Sequence, residues 1–190
     1  MVSSLEGYLG LLGLLAAERL VELVISKRNA ARALARGGVE TGQRHYRVMV
    51  VFHSLFLAAC AAEVVGFARP FPGGLGFGAL GVALVAQVLR YWAIASLGER
   101  WNTRIIVVPG LPPVTRGPYR YLRHPNYVAV VLEMAAVPLI HGAWVTAAVF
   151  SLGNALLLLV RIRAEEAALG AAYAEAFAGR PRFIPEVHRG

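Results

Sequence analysis

The chain has 190 residues, 57% of them hydrophobic and 16% charged, with 19 basic against 11 acidic side chains and a net charge of +8. That is too apolar for an ordinary soluble domain and too short for two large ones, so a single integral membrane domain over residues 1–190 is expected. The basic excess then reads first as membrane topology and contact with anionic lipid, which leaves nucleic acid as the weaker explanation.

The elements predict an all-α membrane protein with five transmembrane helices. Leu5 to Ile25 forms the first, close to the roughly 20 residues that cross a hydrocarbon core of about 30 Å. It does not read as a cleaved signal peptide, because no Lys or Arg precedes it and it carries Glu18, Arg19 and Glu22. Arg19 and Glu22 stand three apart and can pair on one helix face. Val48 to Phe67 gives the second helix. Cys60 within it is the only cysteine, which excludes an intrachain disulfide, a cysteine zinc site and a redox pair. His45 and His53 lack HxxH or HExxH spacing and read as structural hydrogen-bonders, so no metal site is expected.

Leu75 to Leu97 is the third helix. Gly76-Phe77-Gly78-Ala79-Leu80-Gly81 matches the letters of a dinucleotide fingerprint, but no strand precedes it. Small residues there, with Gly74 and Gly78 in GxxxG spacing, suit close helix packing instead. Tyr127 to Ile140 and Trp144 to Val160 are two shorter helices joined by His141 and Gly142 in a hairpin. Ala164 to Ala178 predicts a separate cytoplasmic helix ending at Gly179, before the breakers Pro181 and Pro185. Residues 1–97 thus hold three N-terminal helices, and residues 98–190 a loop, the hairpin and the C-terminal segment. Glu63, Arg90 and Glu133 complete the intramembrane charges. Either Arg90 pairs with Glu63 or Glu133, or these groups line a substrate cavity.

The basic residues test the threading. Lys27, Arg28, Arg32, Arg36, Arg44 and Arg47 follow the first helix; Arg100, Arg104, Arg116, Arg120 and Arg123 follow the third; Arg161, Arg163, Arg180, Arg182 and Arg189 follow the fifth. Five crossings put all of them on one side, with Arg69 alone opposite. The positive-inside rule then places the N-terminus outside and the C-terminus in the cytoplasm of a bacterial inner-membrane protein. Merging the last two helices would break this pattern.

Polar chemistry concentrates at one membrane boundary, in Arg116-Gly117-Pro118-Tyr119-Arg120-Tyr121-Leu122-Arg123-His124-Pro125-Asn126-Tyr127. A solvated basic loop would explain the arginines but does not require its turn-formers, or Pro125 fixing the entry to the next helix. Arg161 and Glu165, four apart at the end of the fifth helix, share one face on the same side of the membrane.

These segments carry a resemblance. Val114-Thr115-Arg116-Gly117-Pro118-Tyr119, Arg123-His124-Pro125-Asn126-Tyr127 and Arg161-Ile162-Arg163-Ala164-Glu165-Glu166-Ala167-Ala168-Leu169 are similar to the signature of the isoprenylcysteine carboxyl methyltransferase family. The N-terminal half resembles bacterial members more loosely, through Arg19-Leu20-Val21-Glu22-Leu23, Arg28-Asn29 and His45-Tyr46. The resemblance implies S-adenosylmethionine bound at the cytoplasmic side without a Rossmann domain. Leu111, Pro112, Pro113, Val114, Tyr119, His124, Pro125, Asn126 and Tyr127 fall at the family's cofactor contacts, with Glu165 and Arg104 as further ones. Arg161 falls where the family places an arginine near the substrate carboxylate. Pro112, Pro113 and Arg116 depart from the eukaryotic pattern.

The implied partner is a lipophilic acceptor in the membrane, either an isoprenyl carboxylate or, as in an alkylpyrone- or alkylresorcinol-methylating branch, a hydroxyl. No obligate protein partner is implied. A carboxylate nucleophile needs no base, whereas a phenol or enol profits from one, and Glu133 and His124 are candidates. Two other readings compete: a membrane sterol or lipid reductase using NADPH, and a non-enzymatic lipid-binding or transport protein.

Overall fold

The computed structural model describes residues 3–183. Five α-helices carry it: α1 (Ser4–Ala35), α2 (Gln43–Gly66), α3 (Gly74–Leu97), α4 (Pro125–Leu139) and α5 (Trp144–Ala176). Three of these, α2 from Tyr46 onward, α3 and α5, are long and apolar enough to cross a membrane. Leu55, Val65, Val85, Val88, Leu152 and Leu156 stand exposed on them. Such outward apolar faces are a liability in water and the expected surface against lipid. The apolar stretch of α1 is interrupted by Glu18, Arg19 and Glu22. α4, with 15 residues, is about 22 Å long and falls short of the hydrocarbon thickness by itself.

Several boundaries differ from expectation for physical reasons. α1 starts on a capping box, Ser3 Oγ accepting from the Glu6 amide at 3.2 Å and Glu6 accepting from the Ser3 amide at 2.7 Å. It continues past Ile25 because Lys27 to Ala35 is rich in Ala and Arg, strong helix formers, and it stops only at Gly37, with φ +79°. The predicted separate C-terminal helix is instead the continuation of α5, since nothing between Arg161 and Leu169 breaks a helix. The bend falls at Gly170, with φ 68° and ψ −159°. From Trp144 to the bend at Gly170 α5 rises about 39 Å, so its apolar part, Trp144 to Val160, is long enough to cross while the remainder projects beyond. The fold is also not purely helical. Val39–Thr41 (β1) pairs antiparallel with Ile105–Val107 (β2), Val39 opposite Val107 and Thr41 opposite Ile105, using a β-branched run in the α3–α4 connection.

α3 presents Gly76, Ala79, Ala86, Arg90 and Ala93 as its buried face. A Cβ on Gly76 would lie 2.7 Å from the Ile140 carbonyl oxygen, whereas nothing approaches Gly74 or Gly78 within 4 Å. The small-residue packing is therefore real, but the GxxxG pair lies off the packed face. The main core joins α1, α2, α3 and α4 through Tyr8, Leu12, Phe56, Cys60, Ala79, Met134 and Val137.

The connections gather at two ends. At one, β1 and β2 tie the α1–α2 loop to the α3–α4 loop, and Arg32 reaches Glu99 at 2.8 Å. At the other, Glu63 serves as a cap for α5, accepting from the Val145 and Thr146 amides at 3.2 and 2.6 Å and from the Thr146 hydroxyl at 2.7 Å. The positive end of the α5 dipole thus meets a carboxylate contributed by α2. Arg69 completes that group at 2.9 Å. Glu63 is accordingly not a partner of Arg90, which instead meets Glu22 and Glu133.

Candidate active site at the loop end of the helices

Pro125 opens α4 as a first-turn proline, which needs no backbone hydrogen bond there and has the helical φ built in. It sets Tyr127 inward, 8% exposed, against Leu158 and Ile162 of α5. One turn further along α5, Arg161 donates from Nε to the Tyr127 hydroxyl at 2.8 Å and from Nη2 to the Thr103 carbonyl at 2.6 Å. The Tyr127 hydroxyl in turn donates to Glu165 Oε2. Arginine, tyrosine and glutamate thus form one chain of hydrogen bonds from the membrane boundary to the projecting part of α5, and each orients the next.

The His124 ring stacks on Tyr127 with centroids 5.3 Å apart and a 22° interplanar angle. Its Nε2 lies 3.0 Å from Glu166 Oε1. Glu166 also accepts from Arg182 twice, at 3.0 and 2.6 Å. The Arg182 hydrogen bonds, followed by the one from His124, hold the Glu166 carboxyl below the usual carboxylate range although burial opposes them. Sequence reading singled out Glu165 and passed over Glu166. Glutamates at both positions, beside a histidine-containing loop on the same side, were the available signal.

The C-terminal segment straps the loop down. Arg123 and His124 amides donate to the Pro181 and Arg182 carbonyls at 3.0 and 3.3 Å, Arg123 Nε to the Arg180 carbonyl at 2.6 Å, and Arg180 to the Tyr119 carbonyl at 2.9 Å. Tyr119 is buried with Ala93, Tyr173 and Phe177. Burial pushes its phenol up, and the neighbouring Glu165 carboxylate adds to this. Gly117 has φ +59°, and a Cβ there would meet Ser96 Oγ at 2.0 Å, so the turn before Tyr119 can approach α3 only as glycine. Arg116 donates to the Ser96 carbonyl at 3.1 Å.

Two atoms in this group are buried without a partner: Arg161 Nη1 and Asn126 Oδ1. Unpartnered buried polar atoms cost free energy, and these two leave hydrogen-bonding capacity that no described residue uses. The remaining expected residues are arranged differently. Leu111 is exposed, and Arg100 donates to the Pro112 carbonyl at 2.6 Å. No described hydrogen bond joins residues 111–114, Val114 included, to Tyr127, Arg161 or Glu165. Arg104 pairs with Glu40 at 3.4 Å and lies 5.2 Å over the Tyr46 ring.

Glu133 stands apart from the Arg161 group. It accepts from Arg19 at 3.0 Å and lies 3.7 Å from Arg90. Arg90 also binds Glu22 through Nε at 2.7 Å, and Arg19 binds Glu22 at 2.7 Å. Glu133 is therefore an ion-paired member of an intramembrane network and not a free base beside Arg161. The His45 side chain and Pro185 lie outside the described residues. Among the described residues no group of three His, Cys, Asp or Glu side chains could hold a metal ion.

Residues 79–171, which span most of α3, the loop, α4 and most of α5, match the family model described as the isoprenylcysteine carboxyl methyltransferase (ICMT) family. The chain is 42% identical over 159 residues to the uncharacterized protein YpbQ of Bacillus subtilis (strain 168), covering 84% of this chain and 94% of that protein. It is 28% identical over 152 residues to an uncharacterized protein of Haemophilus influenzae, 80% of this chain and 88% of that protein. The cobalt-zinc-cadmium resistance protein CzcN of Cupriavidus metallidurans matches over 116 residues at 34% identity, 60% of this chain and half of that protein. With α2, α3 and α5 each able to cross a bilayer, the chain is a multi-pass membrane protein and belongs to the isoprenylcysteine carboxyl methyltransferase family of membrane methyltransferases.

Proposed function

We propose that this protein is an S-adenosylmethionine-dependent O-methyltransferase that moves a methyl group to a carboxylate or hydroxyl oxygen of a lipid-tailed acceptor. The observation that carries the reading is the unpartnered pair Arg161 Nη1 and Asn126 Oδ1 beside the Tyr127–Glu165 hydrogen bond. S-adenosylmethionine brings a cationic amino group, a carboxylate and ribose hydroxyls, and when bound supplies an electrophilic methyl group on a sulfonium. The donor set fits such a group. Asn126 Oδ1 and Glu165 accept hydrogen bonds from amino or hydroxyl groups, and Tyr119, His124 and Tyr127 offer aromatic faces to a cation or a purine.

Arg161 has one role left open by its geometry. Two of its nitrogens are held by Tyr127 and the Thr103 carbonyl, which fix the plane of the guanidinium. Nη1 is free to orient the acceptor oxygen. An in-line displacement gains chiefly from holding the reacting atoms about 3–3.5 Å apart, and a buried, hydrogen-bonded arginine is a rigid element for that purpose. Residues 111–114 and Arg104 complete the cofactor side by loop rearrangement in this reading.

Five crossings, with the N-terminus outside and the loop end in the cytoplasm of a bacterial inner membrane, suit a soluble cofactor meeting a bilayer-borne acceptor. The chain then works as one unit, because α1 charges close on α3 and α4. Calorimetric titration of the detergent-solubilised protein with S-adenosylhomocysteine tests the reading, together with transfer of labelled methyl groups into a membrane lipid extract. Saturable binding and one labelled lipid are expected. Saturation by NADPH with no response to S-adenosylhomocysteine would overturn it.

A further inference from the structure

At the loop end of the helices an open cavity of about 430 Å³ is lined by Arg123, Gly179, Arg180, Pro181 and Arg182. Its three charged side chains are all arginines. They converge because the strap runs back across the start of α4, the Arg123 and His124 amides donating to the Pro181 and Arg182 carbonyls. Gly179, with φ +75°, makes the turn into the strap. Each guanidinium is held by part of its donor set: Arg123 Nε by the Arg180 carbonyl, Arg180 Nη1 by the Tyr119 carbonyl, Arg182 Nε and Nη2 by Glu166. The two terminal nitrogens of Arg123, Nε and Nη2 of Arg180 and Nη1 of Arg182 make no hydrogen bond among the described residues.

Among the described ion pairs a single carboxylate, Glu166, meets this group, so the closed strap gathers three positive charges against one negative. Arg123 and Arg180 are only partly exposed, where solvent screens their repulsion less. An anion with several acceptor oxygens turns that repulsion into attraction, and guanidinium forks match a phosphate in geometry as well as in charge. Depth selects the kind of phosphate. His124 and Glu166 meet at 3.0 Å, and Glu166 lies about 9 Å along α5 beyond Val160, where the apolar part of that helix ends. Lipid head groups occupy the first 5–8 Å or so outside the hydrocarbon, by the roughly 40–45 Å total thickness of a bilayer against its core of about 30 Å. Tyr121, 52% exposed and two positions before Arg123, is a residue type found at that level, and Phe183 adds an exposed apolar ring next to Arg182.

We propose that this cavity binds the phosphate of an anionic phospholipid head group, and that the bound phosphate, bridging Arg123 of the loop to Arg180 and Arg182 of the strap, holds the strap closed on the loop that carries His124 and Tyr127. Membrane charge then acts on the candidate active site through the segment that ties it down. A zwitterionic head group is disfavoured, because its cation meets the excess of arginine. The site belongs to the strap and holds whatever group the enzyme transfers.

Hydrogen exchange on the full-length protein in nanodiscs of phosphatidylcholine, with and without phosphatidylglycerol, tests the inference. Phosphatidylglycerol is expected to slow exchange at the Arg123 and His124 amides about threefold to tenfold and to leave the α2 amides around Cys60 unchanged. In detergent, short-chain phosphatidylglycerol should stabilise the protein in thermal shift at concentrations where short-chain phosphatidylcholine, glycerol phosphate and inorganic phosphate do not. Arg180→Gln should weaken phosphatidylglycerol about fivefold to tenfold, the loss of one charge-assisted hydrogen bond, and Arg180→Lys, which keeps the charge, should recover part of it. Arg163→Gln removes an exposed charge from the same end of the molecule but outside the cavity, and should bind the lipid as wild type does. Equal weakening by Arg163→Gln and Arg180→Gln would mean attraction by net charge alone and would overturn the site. Wild-type exchange at Arg123 and His124 that is indifferent to phosphatidylglycerol would overturn it as well, with no variant needing to fold. Stabilisation by inorganic phosphate as strong as by the lipid would overturn the lipid assignment.

Discussion

Two clusters of arginine and glutamate lie some 9 Å apart along α4 and are built on different plans. In the inner one, Glu22 Oε1 is matched by Arg90, Glu22 Oε2 by both Arg19 and Arg90, and Glu133 by Arg19 and Arg90. Every carboxylate oxygen has a cation, and three helices are joined by it. In the outer one, Arg161 spends two nitrogens on Tyr127 and Thr103 and keeps a third buried and free, with Asn126 Oδ1 likewise free. A saturated network in an apolar surrounding holds helices together. An unsaturated one, at the point where a loop, two helices and the C-terminal strap converge, is suited to receive a ligand.

That contrast can be broken by mutation. Replacing Glu22 with Ala removes both hydrogen bonds of Arg90, which is only 7% exposed and keeps the Glu133 carboxylate at 3.7 Å, so the cost should approach the roughly 3–5 kcal/mol of removing one partner of a buried pair. The midpoint of thermal unfolding in detergent reads this directly, and cofactor binding should fail only as far as folding does. The outer cluster should answer in the opposite sense. Arg161→Ala is expected to lower acceptor turnover about 100-fold, as for loss of a positioned charged donor, while S-adenosylhomocysteine binds within a few-fold of wild type. If Arg161→Ala destabilises the fold as much as Glu22→Ala, the distinction between the clusters is gone.

Much of this was legible in the sequence, and for definite reasons. Long apolar stretches are set by bilayer thickness, so α2, α3 and the α4–α5 hairpin emerge from hydropathy and the proline and glycine punctuation. Arg161 and Glu165 could be placed on one helix face from spacing alone, and the structure brings both to Tyr127. Partner choice inside the bilayer was not legible. Arg90 had several possible carboxylates, and only the packing of Gly76 and Ala79 against α4 decides the relative depth of α3, putting Arg90 beside Glu22 and Glu133 while α2 turns Glu63 toward Arg69. The β1–β2 pair was hidden because three-residue strands carry too little periodicity to register, and Glu166 because its partner Arg182 returns from beyond the bend at Gly170.

A finer probe separates the residues within the outer cluster. Glu165→Ala removes a candidate acceptor for the cofactor and the partner of the Tyr127 hydroxyl, and should weaken S-adenosylhomocysteine about tenfold by calorimetry, near 1.4 kcal/mol. Tyr127→Phe keeps the aromatic face and its stacking on His124 but frees Arg161 Nε, so turnover should fall further than binding, by a factor of about three to ten. Equal loss of binding and turnover in Tyr127→Phe would mean that its ring, rather than its hydroxyl, matters.

The smallest effect belongs to the strap. Arg182 is about half exposed, so its double hydrogen bond to Glu166 is screened by solvent and should contribute under about 1 kcal/mol. The sign with pH follows from the direction of the Glu166 shift. Its carboxyl is held below the ordinary value of about 4.3, so the stabilisation is complete above that value and is lost as pH falls through the lowered one. Hydrogen exchange at the Arg123 and His124 amides, which donate to the Pro181 and Arg182 carbonyls, reports whether the strap is closed. Protection corrected for intrinsic rates should be slightly lower in Arg182→Ala than in wild type at neutral pH and converge with it in acid. A difference that persists below the carboxyl titration would mean that Arg182 holds the strap other than through the Glu166 carboxylate, and no difference at any pH would mean that the Arg123 and Arg180 contacts to backbone carbonyls, which do not titrate, hold it alone.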